Sequence, residues 1–198
     1  MSIETWIPIE LTPLEAFAVV FSAWSVWLLS QNRPFGWWVG LVGVTAYGVV
    51  FYRVRLFAEV AIQGFYFLTS LQAIWIWLRG GIDRTEKPVG RPSRGLILMT
   101  LLIGLASVFA LREGLIAIRG AAPFWDALTT VMSLVAHLYL MGRYVDSWYV
   151  WVAVDVIYIP LYASRGLYVT SLLYVVFLIL AVRGLLHFRS IYEKRTIT

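Results

Sequence analysis

The sequence predicts an all-α integral membrane protein of seven spans. Three observations carry that prediction. Of the 198 residues, 61% are hydrophobic and 14% charged, and mean hydropathy is +0.79; a soluble domain cannot hide that much apolar surface. Apolar stretches of about 20 residues, long enough to cross a bilayer as a helix, recur seven times. The polar residues gather between those stretches, except for a few inside them, where they are costly and point to function.

In order, the spans are 13–31, 35–53, 56–79, 95–112, 124–142, 147–164 and 166–187. Most connections are short. Residues 80–94, GGIDRTEKPVGRPSR, are polar with Gly and Pro and read as a loop, and residues 113–123, EGLIAIRGAAP, form a second one. The amino terminus carries Glu4 and Glu10 but no Lys or Arg, so it lacks the basic region of a signal peptide. The whole of 1–198 reads as one membrane domain.

Charge sets orientation. Seven spans put the termini on opposite sides. The side of the C-terminus collects Arg33, Arg79, Arg84, Lys87, Arg91, Arg94, Arg143, Arg183, Arg189, Lys194 and Arg195; the other side collects Arg53, Arg55, Arg112, Arg119 and Arg165. That excess predicts the C-terminus in the cytoplasm and the N-terminus outside. The net charge of +5 is spread over loops and tail and does not signal nucleic acid. There is no cysteine, hence no disulfide and no thiolate ligand.

An internal repeat follows from an offset of 111 positions, which sets Leu56-Phe57 on Leu167-Tyr168. The same offset pairs Glu15 with Asp126, Ser22 with Ser133, Trp37 with Trp148 and Tyr47 with Tyr158. The architecture expected is 3+1+3: a first triplet over 13–79, a linker helix over 95–112 and a parallel second triplet over 124–187. Transporters built this way bind near the midplane, where repeats meet.

The sixth span, WYVWVAVDVIYIPLY from Trp148 to Tyr162, carries the strongest functional signal. At about 100° per residue, Trp148, Trp151, Asp155, Tyr158 and Tyr162 share a stripe roughly 80° wide. It is an aromatic face around one carboxylate. The ordinary alternative is an Asp paired with a basic residue of another helix. The equivalent stripe of the second span has Trp37, Gly40, Val44, Tyr47 and Phe51. One half is expected to supply contacts and the other room.

Two more spans carry polar stripes. The third has Glu59, Gln63, Tyr66 and Ser70 on one face, and the fifth has Asp126, Thr130, Ser133 and His137. Buried groups of this kind need partners, whether another helix or a ligand. Gln63 reads as a ligand contact, while Thr130 and Ser133 fit either role. Glu59 is expected to snorkel or to meet Arg55. Glu15 and Asp126 sit at helix starts, where they offset the dipole. His137, a lone histidine, reads as a packing or hydrogen-bonding residue. No metal-ligand spacing, glycine-rich phosphate loop or nucleophile–base pair appears, so neither metal nor cofactor is expected. An intramembrane enzyme using His137 with Asp126 or Asp155 has no recognisable signature.

The segment FWDALTTVMSLVAHLYLMGRYVDSWYVWVAVDVIYIPLYASRGLYVTSLLYVVF resembles the last three spans of the PnuC family of vitamin transporters, and WWVGLVGVTAYGVVFYRVRLFAEVAIQGFYFLTSLQAIWIW resembles an earlier segment. The specific parts are Trp148, Trp151 and Asp155, and the run from Leu56 to Gln63. The resemblance implies a SWEET-like 3+1+3 bundle and facilitated diffusion of nicotinamide riboside, trapped inside by a vitamin kinase. Relatives carry thiamine or, less often, riboflavin. Asp155 stands where some nicotinamide riboside carriers have Asn, and thiamine stays open as the substrate.

The residues fit such a cargo. Nicotinamide riboside and thiamine each carry a quaternary aromatic nitrogen. A flat cation wants aromatic faces, worth about 0.5–2 kcal/mol each, and a carboxylate at about 4 Å adds on the order of 4 kcal/mol before desolvation. The expected site is therefore Trp148, Trp151, Asp155 and Tyr158, with Gln63, Tyr66, Trp37, Thr130 and Ser133. The expected partners are this vitamin substrate and membrane lipid, in a bacterial inner membrane. A trimeric homo-oligomer stays open, as does a membrane sensor or scaffold that binds without transporting.

Overall fold

The structure is a computed structural model; it describes residues 12–197 apart from 54, 56, 120, 121 and 167. Glu4, Glu10, Leu56 and Leu167 lie outside the described residues. Seven helices follow in order: α1 (Pro13–Ser30), α2 (Phe35–Arg53), α3 (Phe57–Arg79), α4 (Arg94–Ala117), α5 (Pro123–Met141), α6 (Asp146–Ser164) and α7 (Tyr168–Ile197).

Local chemistry sets the helix starts. Thr12 and Glu15 form a capping box on α1: the Glu15 carboxylate accepts from the Thr12 amide at 2.8 Å, and the Thr12 hydroxyl accepts from the Glu15 amide at 3.2 Å. Pro13 and Pro123 stand in the first turns of α1 and α5, where a missing N–H costs nothing. Ser93 caps α4 by accepting from the Leu96 amide at 3.2 Å.

Two helices outrun their expected ends. α4 continues to Ala117 rather than stopping at 112, and α7 to Ile197 rather than 187. A hydropathy reading stops where charges begin, but Arg, Glu and Lys are good helix formers. Arg112 pairs with Glu113 on α4. On α7, Arg189 donates to Glu193 at 2.7 Å, one turn on.

Six of the helices are long and apolar enough to cross a membrane. α6 falls short of the apolar criterion because Asp146, Asp155 and its Trp and Tyr residues dilute it. Its 19 residues still span about 28 Å at 1.5 Å per residue.

We call basal the end where α1, α3, α5 and α7 finish, and apical the end where they begin. α2 packs between α1 and α3, and α6 between α5 and α7. α1 also meets α7, and α3 meets α5; among the described residues α4 touches only α5. The outer surface of α4 is a continuous apolar face of Leu98, Leu101, Leu102, Ile103 and Leu105, suited to lipid. One tie crosses to α5, where the hydroxyls of Thr100 and Tyr139 lie 2.6 Å apart.

The main core lies toward the basal end. Trp37, Trp77, Trp148 and Phe188 meet there in edge-on and tilted contacts at 5.5–6.1 Å. The Trp77 indole N–H donates to the Leu140 carbonyl at 3.0 Å, joining α3 to α5. Beneath this layer Arg143 gathers the connecting loops. Its guanidinium donates to the Asn32 side chain at 2.9 Å, the Lys87 carbonyl at 2.5 Å and the Glu86 carboxylate at 3.2 Å. It also lies 4.8 Å from the Trp77 ring centre. Burial pulls the guanidinium down from its ordinary value, and Glu86 pulls the other way. Gly90 and Val145 exchange backbone bonds with this connector, Gly90 N to Arg143 O at 3.2 Å and Val145 N to Gly90 O at 3.0 Å. The 80–93 loop is thereby fastened to the turn between α5 and α6.

Backbone landmarks recur along the chain. α2 and α6 begin and end 111 positions apart, as do the end of α1 and the end of α5. Asn32 and Arg143, at the same separation, both take left-handed backbone, with φ of 58° and 57°. Arg55 and Gly166 repeat that pattern at the apical end, with φ of 60° and 75°.

Gly40 departs from expectation. It does not leave room beside the α6 stripe. A Cβ there would stand 2.8 Å from the Ser25 hydroxyl, so the missing side chain lets α1 close against α2. The small residue serves helix packing.

Candidate functional site

α6 rises from the basal core into the middle of the bundle. Trp148, in its first turn, is 1% exposed and packs against Phe188 with ring centres 5.5 Å apart. It also lies flat against Gly184 of α7, where a Cβ would come within 2.6 Å of the indole. Trp151 is partly buried against the same core. One turn further stands Asp155, 3% exposed. No hydrogen bond or ion pair reaches its carboxylate from the described residues. The ordinary alternative, an interhelical pair with a basic residue, is not what the structure shows.

Above Asp155 the aromatic stripe resumes. Tyr158 and Tyr162 of α6 meet Tyr174 of α7, with centres 4.6–5.3 Å apart, and Tyr162 and Tyr174 stack at 10°. Pro160 lies inside α6 between these tyrosines and frees a carbonyl of the preceding turn. The adjacent Ile159 carbonyl accepts from the Ser171 hydroxyl at 2.9 Å, which ties α6 to α7 at that level.

A second group faces this one from α3 and α5. The His137 Nε2 lies 2.9 Å from the Thr69 hydroxyl. Its ring centre is 4.7 Å from Tyr66 and 5.5 Å from Trp37, edge-on at 89°. Tyr158 lies close to Thr129 and Ser133 of α5, between the two groups. Trp37 and Trp148 lie 111 positions apart, and both indole N–H groups are buried without a partner among the described residues. A buried donor left unpaired costs about 1–3 kcal/mol. Asp155 stands about two turns beyond Trp148 on α6, also without a polar partner among the described residues.

The expected site residues therefore divide. Trp37, Tyr66, Ser133, Trp148, Trp151, Asp155 and Tyr158 sit within or beside these two groups. Gln63 and Thr130 are partly buried, but no polar partner among the described residues links either to the rest. Glu59 makes no ion pair there either. Asp126 is a structural residue, held by Arg165 at 3.1 Å at the apical end. Thr129, Tyr162 and Tyr174 were not expected in the site. Tyr174 had a signal, since it is the repeat counterpart of Gln63. Thr129 had one too, lying one turn before Ser133 on the same face. His137 both packs and hydrogen-bonds, as the sequence suggested, with the Thr69 hydroxyl and the rings of Trp37, Phe65 and Tyr66 around it.

Chemically this interior offers faces, hydroxyls and one carboxylate. Among the described residues no group of three His, Cys, Asp or Glu side chains stands ready for a metal. Two surface grooves lie elsewhere. One is lined by Phe17, Leu41, Val42, Thr45, Ala46, Val49 and Phe67, and the other by the α1 end and α7.

Comparison with known proteins identifies the family and the fold. The family described as Nicotinamide mononucleotide transporter matches residues 12–190. The nicotinamide riboside transporter PnuC of Escherichia coli is 25% identical over 201 residues, covering 88% of this chain and 84% of that one. The protein of that name from Neisseria mucosa is 23% identical over 197 residues, covering 92% and 74%. A crystal structure of the vitamin B3 transporter PnuC shares the fold, with a TM-score of 0.70 at 22% identity, over 91% of this chain and 82% of that one.

Proposed function

The chain belongs to the nicotinamide mononucleotide transporter family, and from that premise we propose that it carries nicotinamide riboside across the bacterial inner membrane. The observation that carries the reading is Asp155, a buried carboxylate without a partner among the described residues, set between tryptophans below and tyrosines above. Burying an unpaired charge is costly. A flat cationic ring resolves that cost, because it pairs with the carboxylate and stacks on aromatic faces at once.

Trp148, Trp151 and Tyr158 supply ring faces, and Trp37 closes the site on its basal side. Tyr66, Gln63, Thr130 and Ser133 supply amide and hydroxyl groups for the ribose. The site sits where two parallel triplets, 13–79 and 124–187, meet through α1 with α7 and α3 with α5, with the linker helix α4 outside on α5. The coincident helix limits and the paired left-handed residues support that 3+1+3 reading. The excess of Lys and Arg at the basal end supports a cytoplasmic C-terminus. With no second acid at the repeat-equivalent position, Val44, transport is facilitated diffusion, and phosphorylation by a cytoplasmic kinase retains the cargo.

Thiamine is the runner-up, because it offers Asp155 the same quaternary nitrogen. Titration calorimetry of the purified protein with each vitamin, followed by vesicle uptake, tests the reading. Nicotinamide riboside is expected to bind more tightly and to equilibrate across the vesicle without exceeding the outside concentration. Tighter thiamine binding would transfer the assignment, and binding without uptake would favour a sensor.

A further inference from the structure

His137 lies deep in α5, 9% exposed, with one ring nitrogen engaged and the other free. Nε2 is 2.9 Å from the Thr69 hydroxyl. That hydroxyl donates its single proton back to its own helix, to the Phe65 carbonyl at 2.7 Å and more weakly to the Tyr66 carbonyl at 3.2 Å. A hydroxyl has one proton to give and two lone pairs to receive. With that proton on the 2.7 Å carbonyl, the hydroxyl offers His137 a lone pair, an arrangement that places the imidazole proton on Nε2. No carboxylate bonds to the ring, as an imidazolium buried among Trp37, Phe65 and Tyr66 would require. In that tautomer the neutral imidazole presents Nδ1 as an acceptor. No hydrogen bond reaches it from the described residues.

Nδ1 differs from the hydroxyls around it. Ser133, Tyr66 and Tyr158 can each rotate a proton toward a ligand or away from it, so they accept either a donor or an acceptor. Nδ1 cannot adapt while Thr69 holds the tautomer. A fixed acceptor discriminates strongly, since a ligand without the matching donor leaves it unpaired. The aromatic rings around the imidazole suit a flat ring bearing that donor.

Resting on the substrate reading above, we infer that His137 is a specificity residue whose Nδ1 accepts a hydrogen bond from the amide N–H of an aromatic carboxamide, with Thr69 the positioning residue that fixes its tautomer. The corresponding acid, with a carboxylate in place of the amide, has no proton to give and is turned away.

The test compares nicotinamide riboside with nicotinic acid riboside by titration calorimetry on the full chain in detergent. Asp155 also repels a carboxylate, so the readout is the change in the amide-to-acid affinity ratio that each variant causes. His137→Phe keeps a ring among the aromatics and removes the acceptor; the ratio is expected to fall about tenfold or more, through weaker amide binding. His137→Gln is expected to restore amide affinity, because its side-chain oxygen accepts, yet to admit the acid, because its amide can turn to donate. Thr69→Val frees the other tautomer and is expected to lower the ratio with less loss of amide affinity.

A His137→Phe protein with a wild-type melting curve and an unchanged ratio would overturn the inference and leave the substrate reading intact. If His137→Phe does not fold, an unchanged ratio in Thr69→Val overturns it instead. Wild-type protein that binds neither riboside overturns both.

Discussion

Arg143 allows the most direct test of what holds the basal end shut. Its side chain is 5% exposed, while that of its partner Glu86 is 60% exposed. The ion pair itself is therefore screened and worth little. The bonds to the Asn32 side chain and the Lys87 carbonyl, and the Trp77 face, are where the energy lies. At about 1 kcal/mol for each bond and about 1 for the cation–π contact, Arg143→Ala should cost about 3 kcal/mol. At roughly 2–4 °C per kcal/mol for a chain of this length, the melting temperature should fall by about 6–12 °C. Arg143→Lys keeps the charge but loses the fork, and should recover about half of the loss. Backbone conformation adds an internal control. Arg143 sits at φ 57°, which costs a residue with a Cβ about 1 kcal/mol and a glycine nothing. Arg143→Gly should therefore melt above Arg143→Ala, although it removes the same side chain. The assay is intrinsic tryptophan fluorescence on heating in detergent, since Trp77 reports on this layer. An Arg143→Ala protein melting within about 2 °C of wild type would refute the assignment of these contacts as a clasp.

Three further outcomes follow from the same geometry. Asp155→Asn keeps shape but removes the charge, and nicotinamide riboside affinity by calorimetry should fall about 5- to 150-fold; unchanged affinity in well-folded protein would remove Asp155 from the site. Gly184→Ala places a Cβ within 2.6 Å of the Trp148 ring and should cost about 1–3 kcal/mol of stability by overpacking, with a red or blue shift of tryptophan emission as the ring moves; an unaltered melting curve and spectrum would argue against that packing. A cysteine at Ser93, the exposed cap of α4, should react with an impermeant thiol reagent only from the cytoplasmic face, and labelling from outside would reverse the orientation.

Much of this arrangement was legible in the sequence, for identifiable physical reasons. The α6 stripe was readable because a helix converts spacing into a face, and a carboxylate in an apolar face stands out. The unpartnered state of Asp155 was not readable, because partners come from other helices. Tyr174 and Thr129 lay within reach of the offset and the face rule, but each was hidden among residues that also suit lipid. His137 was undervalued because its role depends on which nitrogen Thr69 engages, and that is a matter of tertiary distance. Arg143 gave the least signal, for an arginine in a tight turn at the end of a span ordinarily marks orientation alone. Only its contacts with two other loop segments and with Trp77 reveal a clasp. Gly40 shows the opposite failure, where a missing side chain read as room for a ligand is filled by Ser25 of α1.

These contacts sort along the bundle axis, and the sorting has a consequence. The large dry contacts, Trp77 with Phe188 and Trp148 with Gly184, lie at the basal end, where Arg143 ties the loops together. Among the described residues, Asp155 and the Trp37 and Trp148 indole N–H groups, all without a partner, lie along the upper edge of that layer or just above it, while Asp146 Oδ2 is unpaired at the basal start of α6. Stability therefore comes from one end and recognition from the level next to it, with Trp148 belonging to both. A ligand that satisfies the Trp148 N–H acts on the same indole that Gly184 and Phe188 hold. Binding and the integrity of the basal layer are then coupled through one ring, because a packed interior responds to a shifted side chain as a unit. On the proposed reading, a ligand moving toward the basal side meets Trp148 where it lies against Gly184, in the layer that Arg143 clasps.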